Sequence, residues 1–432
     1  MNRSTRDDRG ERRGEPAKDG GSVMVTARRF WDGVSRSPTG PVEVLVQGRT
    51  ITAVGNGLAR PRGTSVIDLE DRTLLPGFID CHVHTVDSPP ETTISGQTLA
   101  ALPALRSLLA NGFTTVRDLG CADRSVTVDL RQAQRDGIVQ GPAMIVAPHI
   151  ISARGGHGDK SIAFAPRFDV EVGTLADGVE EILRAVRSEV RLGADWIKFA
   201  ATGGFNFPQD DPERVTYTAE EMTALVAAAR DLGMPSAAHA FNDEGVRRCV
   251  HAGVRTVEHA ALAAPDTLAL IAGRRDCWLV PTHMVTVGHL AHLDDDAFWT
   301  DKPAHVREKV RQHEDRLRRS VSTPISDDIR VAFGSDSSVF PHEENWREFT
   351  AMVSTGMTPL RALRAATVEA AALLAVPDRG AVRPGLLADL VAMPGNPFDD
   401  IAATGEVDFV MQHGAVVSGP GQREGAVARG QA

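Results

Sequence analysis

Two histidines one residue apart, His82 and His84, close the strand-like run Thr73-Leu-Leu-Pro-Gly-Phe-Ile-Asp-Cys-His-Val-His. Residues i and i+2 of a strand share a face, so both rings can address one ion. Lys198, His239, His259 and Asp336 follow, each at the end of its own short apolar run. Imidazole and carboxylate are donors that zinc-like metals prefer. A single histidine, in a chain with 14 of them, is more often a hydrogen-bonded core residue. The joint arrival of these residue types at successive strand ends points instead to a metal site and to hydrolysis. Lys198, in Asp195-Trp-Ile-Lys-Phe-Ala, is the odd member. An ammonium cannot ligate a metal and is costly to bury alone, so its plain reading is an ion pair with a buried carboxylate such as Asp336.

The elements that must carry these residues alternate. Strand-like runs occur at 78–80, 114–117, 143–147, 196–200, 236–240, 256–259, 278–282 and 331–334. Helix-like stretches separate them, among them 175–192, 219–232 and 359–374. Eight strands alternating with helices over this length predict an α/β fold, a (β/α)8 TIM-like barrel with its active site at the C-terminal strand ends. A charged stretch from Gly288 to Ser326 reads as a helical insertion after the seventh strand. Short β-branched runs at 42–46, 51–54 and 66–69 have counterparts at 386–393, 407–411 and 415–417. Neither set can fill a core alone, so a small β-sandwich built from both termini is expected. The boundaries are then a sandwich of 22–75 with 383–419 and a barrel of 76–382. Residues 1–21 and 420–432 read as disordered, too polar to offset ordering entropy.

Composition excludes several classes. At 42% hydrophobic and 24% charged residues, the 432-residue chain is that of a soluble globular protein. A net charge of −10 gives no support to nucleic-acid or anionic-membrane partners. No apolar run is long enough to span a bilayer. The four cysteines are scattered without a CxxC pair, which suits reduced thiols in a cytoplasm. The partner expected is a small molecule, and the expected assembly is a homo-oligomer.

The resemblance to a known family is carried by motifs. Leu75-Pro-Gly-Phe-Ile-Asp-Cys-His-Val-His, Gly112-Phe-Thr-Thr-Val-Arg-Asp-Leu-Gly, Gly155-Gly-His-Gly-Asp and Ala194-Asp-Trp-Ile-Lys-Phe-Ala-Ala-Thr-Gly-Gly are four of them. Ala238-His, Val257-Glu-His-Ala, Phe333-Gly-Ser-Asp and Gly385-Leu-Leu-Ala-Asp-Leu-Val complete the set. Over roughly Val42 to Val417 the chain resembles the metal-dependent amidohydrolase superfamily, in its Xaa-Pro dipeptidase (prolidase) and imidazolonepropionase-like branch. The resemblance implies two divalent ions, zinc the first choice. One is held by His82, His84 and Asp336, the other by His239 and His259. It implies that Lys198 is N6-carboxylated and bridges them together with a hydroxide, the nucleophile that attacks the amide or peptide carbonyl. Asp336 then relays the proton and His157 meets the developing oxyanion.

The same resemblance places Tyr217, the only tyrosine, over the substrate carboxylate, though loop packing explains a lone aromatic as well. Arg154 is a candidate carboxylate partner or a solvated arginine. His283 and His342 are expected at the mouth. Asn345 either lines the site or caps a helix. Glu343 stands where relatives often carry glycine, which predicts a narrower or more acidic pocket. The leading expectation is a binuclear hydrolase of an N-acyl amino acid or Xaa-Pro-type dipeptide. A lactonase or phosphotriesterase uses the same metal pair. A mononuclear deaminase usually has glutamate three residues after the fifth-strand histidine, where this chain has Asn242. A non-catalytic scaffold would have lost several of the six ligands.

Overall fold

Alternation of β-branched and polar residues makes Ser22–Ala27, Val42–Gln47, Thr50–Gly55 and Ser65–Asp68 into one sheet of the computed structural model, which describes residues 21–86, 92–121, 126–163 and 171–420. Residues 1–20 and 421–432, expected to be disordered, lie outside the described residues. A second sheet runs in the order Ala415–Ser418, Phe409–Gln412, Leu390–Met393, Thr73–Pro76, Arg29–Phe30. Its centre joins the two ends of the chain, with Val391 opposite Leu75 in antiparallel register. The inward faces of both sheets share one buried cluster, including Val25, Val44, Ile51, Leu74, Leu390 and Phe409.

The expected strand at 386–393 begins only at Leu390. Before that, the chain is tied to the first sheet. Ile51 N–H donates to Leu386 O and Ala388 N–H to Arg49 O, both at 2.9 Å. The segment therefore bridges the sheets before it enters the second.

Between these sheets, parallel strands alternate with helices. Phe78–Val83, Phe113–Asp118 and Ala143–Val146 pair in one set. Ile150–Ser152, Ile197–Ala200, Ser236–Ala240, Thr256–His259 and Trp278–Val280 pair in another. Asp195 N–H donates to Val146 O at 2.8 Å, which links the two sets on one side. On the other, Val331 bridges Leu279, and Cys81 N–H donates to Phe333 O at 2.8 Å.

Three expected elements differ. The run 278–282 ends as a strand at Val280, because Pro281 has no N–H and Thr282 turns left-handed at φ 48°. The run 331–334 makes one bridge rather than a strand, since Asp336 and Ser338 swing the chain away with φ of 55° and 126°. The helix expected over 359–374 is two, Pro359–Ala365 and Val368–Leu374, broken where Thr367 leaves helical geometry (φ −135°, ψ −101°).

The stretch 288–326 is helical, with Asp296–Trp299, Ala304–Gln312 and Glu314–Ser322 following His283–Ala291. These helices pack on their own cluster of Leu290, Leu293, Trp299, Val306, Val310 and Leu317. Among the described residues no helix is long and apolar enough to cross a membrane.

Candidate active site

Several strand ends deliver polar side chains to a common cavity of about 580 Å³. His82, His84, His157, Lys198, His239, His259 and Asp336 all line it. Donor atoms of His82, His259 and Asp336 lie within 4.8 Å of one another. Asp336 Oδ1 is 3.3 Å from His82 Nε2 and 3.4 Å from His84 Nε2, and its Oδ2 is 3.9 Å from His259 Nδ1.

Hydrogen bonds decide which nitrogen each ring presents. His82 Nδ1–H donates to Glu258 Oε2 at 2.9 Å, leaving Nε2 to face Asp336. His84 Nδ1–H donates to Gly120 O at 2.6 Å. Gly120 is fixed in turn by its own N–H to Asp118 Oδ1 at 2.8 Å. It sits at φ +86°, where an added Cβ would lie 2.6 Å from Ala147 O, so only glycine fits there. His259 Nδ1 shares a hydrogen bond with Thr282 Oγ1 at 2.9 Å, and His239 Nε2–H donates to Gly203 O at 3.2 Å. The His157 ring stacks on His239 at 3.9 Å and bonds Asp210 Oδ2 through Nδ1 at 2.5 Å.

The strand ends that carry this set are conformationally strained. His259, Ala260, Thr282 and Asp336 all have φ between 48° and 70°. L-residues disfavour that region, and such backbone persists only where the surrounding structure over-determines it.

Electrostatics follow from burial opposed by one carboxylate. Burial holds His82 and His239 well below the ordinary imidazole pKa and His259 down to about 4. Burial is the largest influence on His84 and acts against its charge, but the hydrogen bond to Asp336 together with the charges of Asp336 and Asp118 more than offsets it and raises its pKa. Burial pushes Asp336 up, and the surrounding His82, His84 and His259, with the hydrogen bond from His84, more than reverse this and hold it well below the usual carboxylate range. Lys198 is lowered to about 8 by burial, against the pull of Glu258 and Asp336.

Among the residues that line this cavity, two buried side-chain atoms have no hydrogen-bond partner, His82 Nε2 and Lys198 Nζ. An unpaired buried ammonium is costly, so the plain ion pair between Lys198 and Asp336 does not explain this lysine. Four imidazoles and a carboxylate, with their second nitrogens fixed from behind, form a donor set that fits a divalent metal.

Several residues expected at the substrate lie elsewhere. Tyr217 is buried, and its hydroxyl donates to Ala176 O at 2.9 Å, away from the cavity. Its segment pairs back through Val215 onto Thr202, which turns the ring into the core. Arg154 is captured by Glu171, Asp177 and Glu181 on the outer surface. His283 bonds Thr355 Oγ1 through Nδ1 at 2.8 Å, because the left-handed turn at Thr282 directs it away from the histidine cluster. His342 Nε2–H donates to His84 O at 2.9 Å, so it braces that backbone rather than lining the cavity. Glu343 is exposed and accepts from Ser107 Oγ, so it neither narrows nor acidifies the pocket. Asn345 is buried and donates to Asp80 Oδ2 at 3.3 Å. Asn242 caps the helix Asp243–Ala252, accepting from Gly245 N–H at 2.8 Å.

Residues that sequence reasoning passed over form the support. Glu258 accepts from His82 and, through Oε1, from Arg117 Nη2 at 2.9 Å, all three fully buried. Arg117 also lies 4.4 Å over the Trp196 ring. Asp210 backs His157. Phe205, Phe207 and Phe241, with His289 and Lys302 from the inserted helices, build the cavity walls. The signal available was a charged residue inside each of two strand-like runs, Arg117 and Glu258.

Comparison with known proteins places this arrangement. The model of the amidohydrolase family matches residues 73–417. The chain belongs to the amidohydrolase family. It is 28% identical over 382 residues to ochratoxinase of Aspergillus niger, covering 81% of this chain and 76% of that protein. It is 25% identical to imidazolonepropionase of Deinococcus deserti, over 84% of this chain and 87% of that one. Among solved structures, a Xaa-Pro dipeptidase with bound methionine superposes with a TM-score of 0.85 at 31% identity, covering 92% of this chain and all of that one. A prolidase complexed with N-methylphosphonate-L-proline gives a TM-score of 0.81 at 28% identity, covering 92% and 99%. The fold is TIM-barrel-like α/β, and this amidohydrolase is a hydrolase acting on carbon–nitrogen bonds.

Proposed function

We propose that this amidohydrolase uses a binuclear metal centre to hydrolyse the amide of a small carboxylate-bearing substrate, an N-acyl amino acid or Xaa-Pro-type dipeptide. One observation carries the reading. His82, His84, His239, His259 and Asp336 converge on one cavity with a buried lysine amine that has no partner. In this reading residues 76–382 form a (β/α)8 barrel, and 22–75 with 383–419 form the composite β-sandwich.

The residues that would hold the ions are His82, His84 and Asp336 for one, and His239 and His259 for the other. N6-carboxylated Lys198 would lie between them. Bound divalent ions would supply Lewis acidity and a water nucleophilic near neutral pH. The chain does the rest. Asp336, held ionised, takes a proton from the attacking water and passes it to the leaving amine. His157, held through Nδ1 by Asp210, is placed to meet the carbonyl oxygen as it gains charge. Phe205, Phe207 and Phe241 exclude water from the reacting bond.

Metal analysis of the purified protein, with a screen of N-acyl amino acids, Xaa-Pro dipeptides and neutral lactones, tests this. Near two equivalents of metal and amine release from the carboxylate amides are expected. Turnover confined to lactones, or hydrolysis that survives complete chelation, would sink the reading.

A further inference from the structure

The cavity holds more cations than its chemistry uses. Three lysines line it, Lys160, Lys198 and Lys302, against a single carboxylate among the described residues, Asp336. Asp336 is committed to the histidines. Lys198 lies in the ligand cluster. Lys302 comes from the turn between the inserted helices Asp296–Trp299 and Ala304–Gln312. Its amine sits 4.0 Å over the Phe298 ring and 3.5 Å from Phe298 O, and no described carboxylate pairs with it.

The platform under Lys302 is built. Phe298 packs against Trp299 and Phe340, at ring distances of 5.1 and 6.0 Å. His289 lies 5.4 Å from both Trp299 and Phe340 and also lines the cavity. The charges of Lys302 and of Asp336 both act on His289, so Lys302 and the ligand cluster flank the same space. The inserted helices are fixed to the wall that carries the reaction groups. Lys309 donates to the carbonyls of Gly204, Phe207 and Asp210, and the Asp210 side chain holds His157. His305 Nε2–H donates to Asn206 O at 2.8 Å. Lys302 therefore sits at a set position relative to the reacting end of the cavity.

The remaining walls are mostly apolar, with Val285, Val306, Val310, Leu317 and Val339 beside the uncharged polar Asn206, Thr286 and Ser338. An unpaired cation over an aromatic ring, in an apolar chamber without a free carboxylate, is complementary to an anion attached to a hydrophobic body. We propose that Lys302 is the residue that anchors the substrate carboxylate, and that the inserted helices select amides joining a carboxylate to a large apolar or aromatic group. This rests on the amide-hydrolase reading above and deepens it. It also gives the carboxylate a partner that Tyr217 and Arg154 do not supply.

The test uses the metal-loaded full chain with N-benzoyl-phenylalanine and its neutral carboxamide. Binding is read by calorimetry on wild type and on Lys302→Met, Lys302→Arg and Lys160→Met, and hydrolysis on wild type by amine release. Lys302→Met should weaken the carboxylate probe by roughly tenfold to a hundredfold, the worth of one charged contact. It should weaken the carboxamide by far less. Lys302→Arg should restore most of the loss, and Lys160→Met should cost little. Equal losses on both probes would overturn the anchor, as would an effect at Lys160 in place of Lys302, or no carboxylate binding by wild type. Lys302-dependent binding without any hydrolysis would keep the anchor and overturn the hydrolytic reading. Hydrolysis with binding indifferent to Lys302 would do the reverse.

Discussion

Glu258 accepts from His82 Nδ1–H at 2.9 Å inside the fold, where both side chains are fully buried. The same carboxylate accepts from Arg117 at 2.9 Å. One acid thus sets the tautomer of a candidate ligand and neutralises a buried guanidinium, at a depth no substrate reaches.

Glu258→Gln should leave a folded protein whose metal affinity falls by about tenfold to a hundredfold, the usual effect of losing a histidine's supporting carboxylate. Competition with a chromogenic chelator measures it. Unchanged affinity would mean that His82 needs no orientation from Glu258.

The histidine and aspartate side chains at the centre of the cavity should act as a unit. His82→Ala, His239→Ala and Asp336→Asn are each expected to abolish nearly all turnover, because effects within one shared site are not additive. Circular dichroism checks the fold and metal analysis the loading. A fully active His239→Ala protein would remove His239 from the centre.

Lys198 should carry a carbamate once metal is bound, since its buried amine is left without a partner. Loading with 13C-bicarbonate should give a carbamate resonance that Lys198→Ala lacks. That variant should lose metal and turnover and regain part of both with added short carboxylic acids. Full metal retention by Lys198→Ala would count against the bridge.

Tyr217→Phe is now a stability experiment. Its hydroxyl satisfies Ala176 O in the core, so removal should lower the urea midpoint by the equivalent of about 1–2 kcal/mol. KM for carboxylate amides should not move. A large KM effect at undiminished stability would return Tyr217 to the substrate.

Asp389 sets a pH dependence away from the site. Burial raises its carboxyl from 3.8 to about 6, against the His413 N–H that it accepts. Between those values the folded chain binds a proton that the unfolded chain does not. Stability therefore falls as pH rises through that window, and the penalty persists above it. Asp389 Oδ2 has no partner, so Asp389→Asn loses nothing there. The variant should be more stable at pH 7 by up to ~3 kcal/mol, with no gain near pH 4. Thermal melts across that range decide it, and a gain independent of pH would refute the cause.

What could be read in the sequence follows from what each residue type announces. His82, His84, His239, His259 and Asp336 each end an apolar run, and the alternation of such runs with helices places their ends together. Arg117 and Glu258 were hidden because a charge inside a strand looks solvent-facing until both faces of the sheet are known to be covered. Tyr217, Arg154 and His283 were misplaced because their directions depend on turns. The left-handed Thr282 and the acid cluster around Arg154 leave no periodic trace. Lys302 was invisible for the opposite reason. It lies in a charged helical stretch where one more lysine carries no signal.

The helices of residues 288–326 contribute cavity wall but none of the histidines, the lysine or the aspartate of the central cluster. If these helices select the substrate as proposed, appetite and machinery lie in separate stretches of the chain. Mutations in this one contiguous segment can redraw which molecules are admitted while the reacting groups stay untouched. Lineages sharing the same chemistry can then diverge in diet by exchanging a single stretch of chain. For engineering, libraries confined to that stretch, with Lys309 kept because it braces the wall behind His157, would explore new substrates without replacing any member of the central cluster.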